Sequence, residues 1–220
     1  MPNSPLRLLL LIFLFAFVVG SVQLGVLQIA FYKLGLEPRS AYLLLSASLF
    51  GSLINLPLFS VRAEAPPSGE LPPQLREFFG LQRLPFTGRT IVAVNVGGCV
   101  VPVAFCLYLL AHAPLHAAHV IAAVAVVAGV SYLTSFPQRG VGIAMPFLVA
   151  PATAAAAAMA LDIEHAAPLA YIGGTLGVLI GADLLRLHQI GQLGAPVASI
   201  GGAGTFDGIV LTGLLAVLLA

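Results

Sequence analysis

Two aspartates stand out in this chain as residues able to do chemistry. Asp183 sits in the stretch G-A-D-L-L at the end of one apolar run. Asp207 sits in G-G-A-G-T-F-D-G, inside the next. An ionised carboxylate in hydrocarbon costs at least about 2.5 to 3.5 kcal/mol, so each is expected to face protein or a water-filled cavity. The connection between the two runs is short. They should therefore be antiparallel neighbours, with both carboxylates at a similar depth. Two carboxylates in contact cannot both ionise cheaply and would divide one proton. That state suits hydrolysis of a peptide bond, because the ionised acid takes a proton from water while its protonated partner polarises the carbonyl. It also suits carrying a proton or cation across a membrane. Gly202 and Gly204, just before Asp207, would let a substrate backbone approach closely. Plainer roles exist as well. Asp183 lies three residues before Arg186, an ion-pair spacing in a helix, and Asp207 could cap the last helix.

The elements that must position these acids are apolar. Of 220 residues, 60% are hydrophobic and only 8% are charged, too little charge to cover a soluble domain. The net charge of +1 gives no reason to expect a nucleic-acid partner. At about 20 residues per helical span, the chain accommodates about seven spans in a single integral membrane domain, 1–220. The apolar runs are Leu6–Tyr32, Ala41–Val61, Thr90–Leu110, Ala117–Phe136, Val141–Leu161, Ala167–Leu185 and Ala195–Ala220. The expected fold class is thus all-α, a polytopic transmembrane helical bundle. Its last span can break at Gly201, Gly202 and Gly204. The hydrophilic stretch 62–89 is expected to be a cytoplasmic loop, with an interfacial helix over Pro73–Leu84. Arginine placement puts that loop and the N-terminus on the cytoplasmic side.

Further polar residues define secondary candidates. His112, His116 and His119 have a spacing that can share one helix face. Asp162, Glu164 and His165 fall in a loop expected on the same side. Together they could bind zinc or another divalent ion. Pro114 interrupts the histidines, and interfacial residues without metal are the simpler expectation for His112, His116, His119 and His165. Gly173, Gly177 and Gly181 form a small-residue ridge suited to close helix packing. Asn55 and Asn95 are apolar-run amides that could bond across helices or line a cavity.

Three blocks carry a resemblance: V-G-I-A-M-P (Val141–Pro146), A-P-L-A-Y-I-G-G-T-L-G-V-L-I-G-A-D-L-L (Ala167–Leu185) and G-A-P-V-A-S-I-G-G-A-G-T-F-D-G-I (Gly194–Ile209). The chain resembles an uncharacterised prokaryotic membrane family, domain of unknown function 1614. The resemblance implies a polytopic fold in a prokaryotic plasma membrane and no particular activity. A looser likeness is to the diaspartyl intramembrane proteases of the presenilin and prepilin-peptidase group. It would give Asp183 the first catalytic position and Asp207 the second, although two extra residues precede the latter. The expectation is a diaspartyl intramembrane protease with a cytoplasm-facing site and no cofactor, whose partners are the lipid bilayer and a transmembrane peptide substrate. A proton- or cation-coupled carrier using the same acids and a non-catalytic membrane scaffold are the alternatives.

Overall fold

A computed structural model describes residues 5–23, 26–64, 88–139, 142–202 and 208–220. The first apolar run holds α1 (Pro5–Gln23) and α2 (Val26–Lys33). The second splits into α3 (Pro38–Gly51) and β1 (Asn55–Arg62). Pro57 explains the split. It has no N–H to donate and disfavours a helical residue before it. The third run opens as β2 (Arg89–Asn95), where Thr90, Ile91, Val92 and Val94 favour an extended, pleated chain. It then winds through a π-helical stretch, Val96–Val100, into α4 (Val101–His112). The expectation of an all-helical bundle is therefore corrected: the fold is mostly helical, with sheets built from segments whose hydropathy matches that of a helix.

The fourth run is helical as expected, α5 (Ala117–Thr134). The fourth run ends in β3 (Phe136–Gln138), which pairs antiparallel with β4 (Gly142–Ala144) at the start of the fifth, before α6 (Val149–Leu161). The sixth is α7 (Ala166–Val178), continued by a second π-helical stretch, Leu179–Leu184. A 3-10 helix, Leu187–Leu193, leads to β5 (Val197–Ile200), and α8 (Gly208–Leu219) closes the chain. The last run is thus broken at Gly201 and Gly202, as the glycines suggested. Among the described residues, two helices are long and apolar enough to cross a membrane: α5, and α7 with its π continuation. The segment Pro73–Leu84 lies outside the described residues.

β1, β2 and β5 form one sheet in that order. β1 runs antiparallel to β2, from Asn55 opposite Asn95 to Arg62 opposite Arg89, with a bulge between Pro57 and Phe59. β2 runs parallel to β5, from Ile91 opposite Val197 to Val94 opposite Ile200. The helical core centres on α7, which packs against α5, α6 and α8. The expected glycine ridge is a packing surface. A Cβ on Gly177 would lie 2.5 Å from Val127 Cβ, and one on Gly181 would strike the Ala128 carbonyl oxygen. On α6, Ala150, Ala154, Ala155 and Ala158 are buried. Small residues thus allow close helix approach.

Candidate functional site

Asp183 lies on the π-helical continuation of α7. The Leu185 N–H bonds to the Ile180 carbonyl at 2.9 Å, the five-residue reach that defines this winding. The half-buried Asp183 side chain turns toward the end of β5, where its Oδ2 accepts the backbone N–H of Gly201 at 2.8 Å. Gly201 has a φ of +83°, in the left-handed region that glycine adopts without steric penalty. It also has no room for a side chain, since a Cβ there would lie 2.7 Å from Cys99 Cβ and 2.8 Å from Cys99 N. Gly201 is therefore held between the two π-helical stretches, with Cys99 of the first on one side and Asp183 of the second on the other.

Asp183 and Gly202 line a cavity of about 330 Å³. β5 contributes Val197 and Ser199. The β3–β4 hairpin and the turn after it supply Ile143 and Phe147, and α8 supplies Ile209 and Thr212. The wall is mainly apolar with a few polar atoms, the usual make-up of a small-ligand or substrate pocket. Ser199 and Thr212 escaped sequence reasoning. Ser199 is visible only once β5 is recognised as a strand, and Thr212 is one hydroxyl inside an apolar helix. Asp207 and Gly204 lie outside the described residues. Gly202, just before that segment, and Ile209, two residues after it, both belong to the cavity wall.

Arg186 does not pair with Asp183. Its Nε donates to Ser135 Oγ at 2.7 Å, Nη1 to Gln189 Oε1 at 2.7 Å and Nη2 to the Tyr132 carbonyl at 2.5 Å. Its guanidinium carbon sits 4.7 Å from the centre of the Tyr132 ring. The arginine thereby ties the end of the π stretch to the end of α5 and leaves the acid to the cavity. Behind β5, the two asparagines form a polar junction. Asn95 Nδ2 donates to the Ser52 carbonyl at 2.8 Å and to Asn55 Oδ1 at 3.0 Å, and Asn95 Oδ1 accepts the Gly98 N–H at 2.8 Å. Ser199 Oγ also donates to Asn55 Oδ1. Asn95 thus joins strand to π stretch, a bonding role rather than a cavity-lining one.

The histidines do not share one helix face. α4 ends at His112, Pro114 lies in the break, and α5 starts after His116. His112 Nδ1 is 2.8 Å from the Tyr108 carbonyl oxygen, and its ring stacks on Tyr108. His119 and His165 instead converge on Asp162. His165 Nδ1 lies 3.2 Å from both carboxylate oxygens, and His119 Nδ1 lies 3.8 Å from Oδ2. Partial burial pushes the Asp162 carboxyl up. The His165 N–H and ring, and the charges of His165 and His119, outweigh this and hold it below its ordinary value. Among the described residues, no group of three His, Cys, Asp or Glu side chains is arranged to hold a metal ion.

The family profile described as "Protein of unknown function (DUF1614)" matches residues 49–219. The chain belongs to this family. For this DUF1614 protein the match starts at the end of α3, so it takes in the sheet as well as Asp183, the cavity and α8. It reaches well ahead of the three blocks that carried the resemblance. No curated protein and no solved structure matches the chain. The likeness to diaspartyl proteases has no counterpart in these matches.

Proposed function

We propose that the cavity beside Asp183 is the site of an intramembrane hydrolase of the diaspartyl type, acting on an extended transmembrane peptide. The observation that carries this reading is the position of Asp183: a carboxylate facing an apolar cavity, fixed by one backbone N–H and without a basic partner among the described residues. Asp207 is the candidate second acid, and the cavity-wall positions of Gly202 and Ile209 support its assignment to the same site. In the reaction, one carboxylate takes the proton of an attacking water. The other, protonated, polarises the peptide carbonyl and then protonates the departing amine. β5 is an edge strand of its sheet and lines the cavity, so an extended peptide has a backbone ladder to join next to the acid.

In this reading the chain is multi-pass in a prokaryotic plasma membrane. Its spans, about seven, are assembled from helices and strand-helix segments. The N-terminus and the Asp183 end face the cytoplasm, where Arg62, Arg89, Arg139 and Arg186 concentrate. The partners are lipid and a transmembrane peptide. A proton- or cation-coupled carrier is the second reading, favoured by the break between β5 and α8, because discontinuous segments commonly build carrier sites. Single Asp183→Asn and Asp207→Asn variants decide between them. The hydrolase loses cleavage of a co-expressed membrane substrate with either change while remaining folded. A carrier loses pH-coupled uptake in liposomes with no cleavage to lose. Full cleavage by either variant would overturn the hydrolase.

A further inference from the structure

The last rung of the β1–β2 ladder places Arg62 directly opposite Arg89. Directly opposed residues share a face, with Cβ atoms about 4.5–5.5 Å apart, and like charges there destabilise the pair. Both side chains are exposed. Among the described residues neither has an acidic partner: the nearby Glu64 is taken by Arg139, at 2.7 Å. The rung is held closed by the backbone, since the Ala63 N–H donates to the Gly88 carbonyl at 3.0 Å. Two positive charges thus stand side by side with no counter-charge among the described residues, an arrangement suited to an anion.

The surroundings indicate what kind of anion. The next pair on the same face is Ser60 and Ile91, both exposed, with Ile91 at 44%. A hydroxyl and then an apolar surface follow directly from the arginines. Farther along β1, Leu58 at the bulge is 57% exposed. Length fits as well. β2 spans about 23 Å, and the helical winding from Val96 to His112 about 25 Å. Laid end to end these reach about 48 Å, slightly more than the roughly 40–45 Å of a bilayer including its headgroup layers. With His112 at one surface, Arg89 falls at the headgroup level of the other.

We propose that the Arg62–Arg89 pair binds the phosphate of an anionic phospholipid, whose acyl chains start over the exposed Ile91 and Leu58. The proposal rests on the membrane setting and is independent of any role for Asp183. Two arginines make charge-assisted bonds to one phosphate, and each basic side chain near an anionic membrane surface adds about fivefold in affinity.

The test is native mass spectrometry of the detergent-solubilised full chain, titrated with dioleoyl phosphatidylglycerol or with dioleoyl phosphatidylcholine. The anionic lipid is expected to bind more tightly. Arg62→Gln and Arg89→Gln should each weaken it about fivefold, and the double variant about 25-fold. Arg139→Gln, which removes a charge already paired, should change it less than twofold. Equal binding of the two lipids, or unchanged binding by the double variant, overturns the proposal. So does displacement of the lipid by millimolar inorganic phosphate, which would mark a site for a soluble anion. If the double variant fails to fold, the unaltered chain still decides. Its preference for the anionic lipid must shrink as salt rises from about 0.05 to 0.5 M, and a salt-insensitive preference overturns the assignment.

Discussion

Gly201→Ala tests the construction of the site more directly than replacing the acid. A left-handed backbone costs an L-residue about 1–2 kcal/mol. The added methyl would also sit 2.7 Å from Cys99 Cβ, 2.8 Å from Cys99 N and 2.8 Å from the Gly98 carbonyl carbon. Two of those three atoms are backbone, so no side-chain rotation relieves the contact, and overpacking of this kind costs typically about 1–3 kcal/mol. The total expected loss is about 2–5 kcal/mol. At roughly 2–4 °C per kcal/mol for a chain of this size, thermal unfolding in detergent should shift down by about 4–20 °C. Gly129→Ala is the control. Gly129 is helical, and its new methyl would meet nothing within 4 Å, so stability should hold or rise by up to about 1 kcal/mol. A Gly201→Ala protein within 2 °C of the parent would refute the placement of Gly201 between the two π-helical stretches, and with it the anchoring of Asp183.

Two further outcomes follow from the geometry. Gly177→Ala places a methyl 2.5 Å from Val127 Cβ and should destabilise by about 1–3 kcal/mol. Adding Val127→Ala should recover part of the loss, and strictly additive effects would show that the two helices do not meet there. Asp162 has a depressed pKa in the folded chain. Its contribution is therefore fully present above its unfolded value of about 4 and is lost as pH falls through the lower folded value. Thermal unfolding between pH 2 and 5 should be less acid-sensitive in Asp162→Asn than in the parent, and identical acid limbs would remove Asp162 from the account.

Hydropathy read the helices that carry long uninterrupted apolar runs, α5 and α7, and the glycine spacing on α7 read its packing face. Both signals are local and survive without knowledge of partners. The strands were not legible from the same signal. Thr90-Ile91-Val92-Ala93-Val94 is as apolar as a span, and only its β-branched content and the proline opposite it, Pro57, argue for extended chain. The break at Gly201 was readable from composition, but its cause was not. A steric slot opposite Cys99 depends on residues a hundred positions away. Arg186 shows the same limit. Helical spacing offered it Asp183, whereas a π winding and the arrival of Ser135 and Tyr132 gave it better acceptors.

Each π stretch holds a surplus residue relative to ordinary helical winding, and the two surpluses meet at one glycine. That makes the region sensitive to the length of the chain as well as to its composition. Deleting a single residue such as Ile180 would remove that surplus and let the stretch wind as plain α-helix, unseating the acid from the strand end while the segments on either side keep their phase. Drift in this part of the gene should therefore favour exchange of letters and reject loss or gain of one codon.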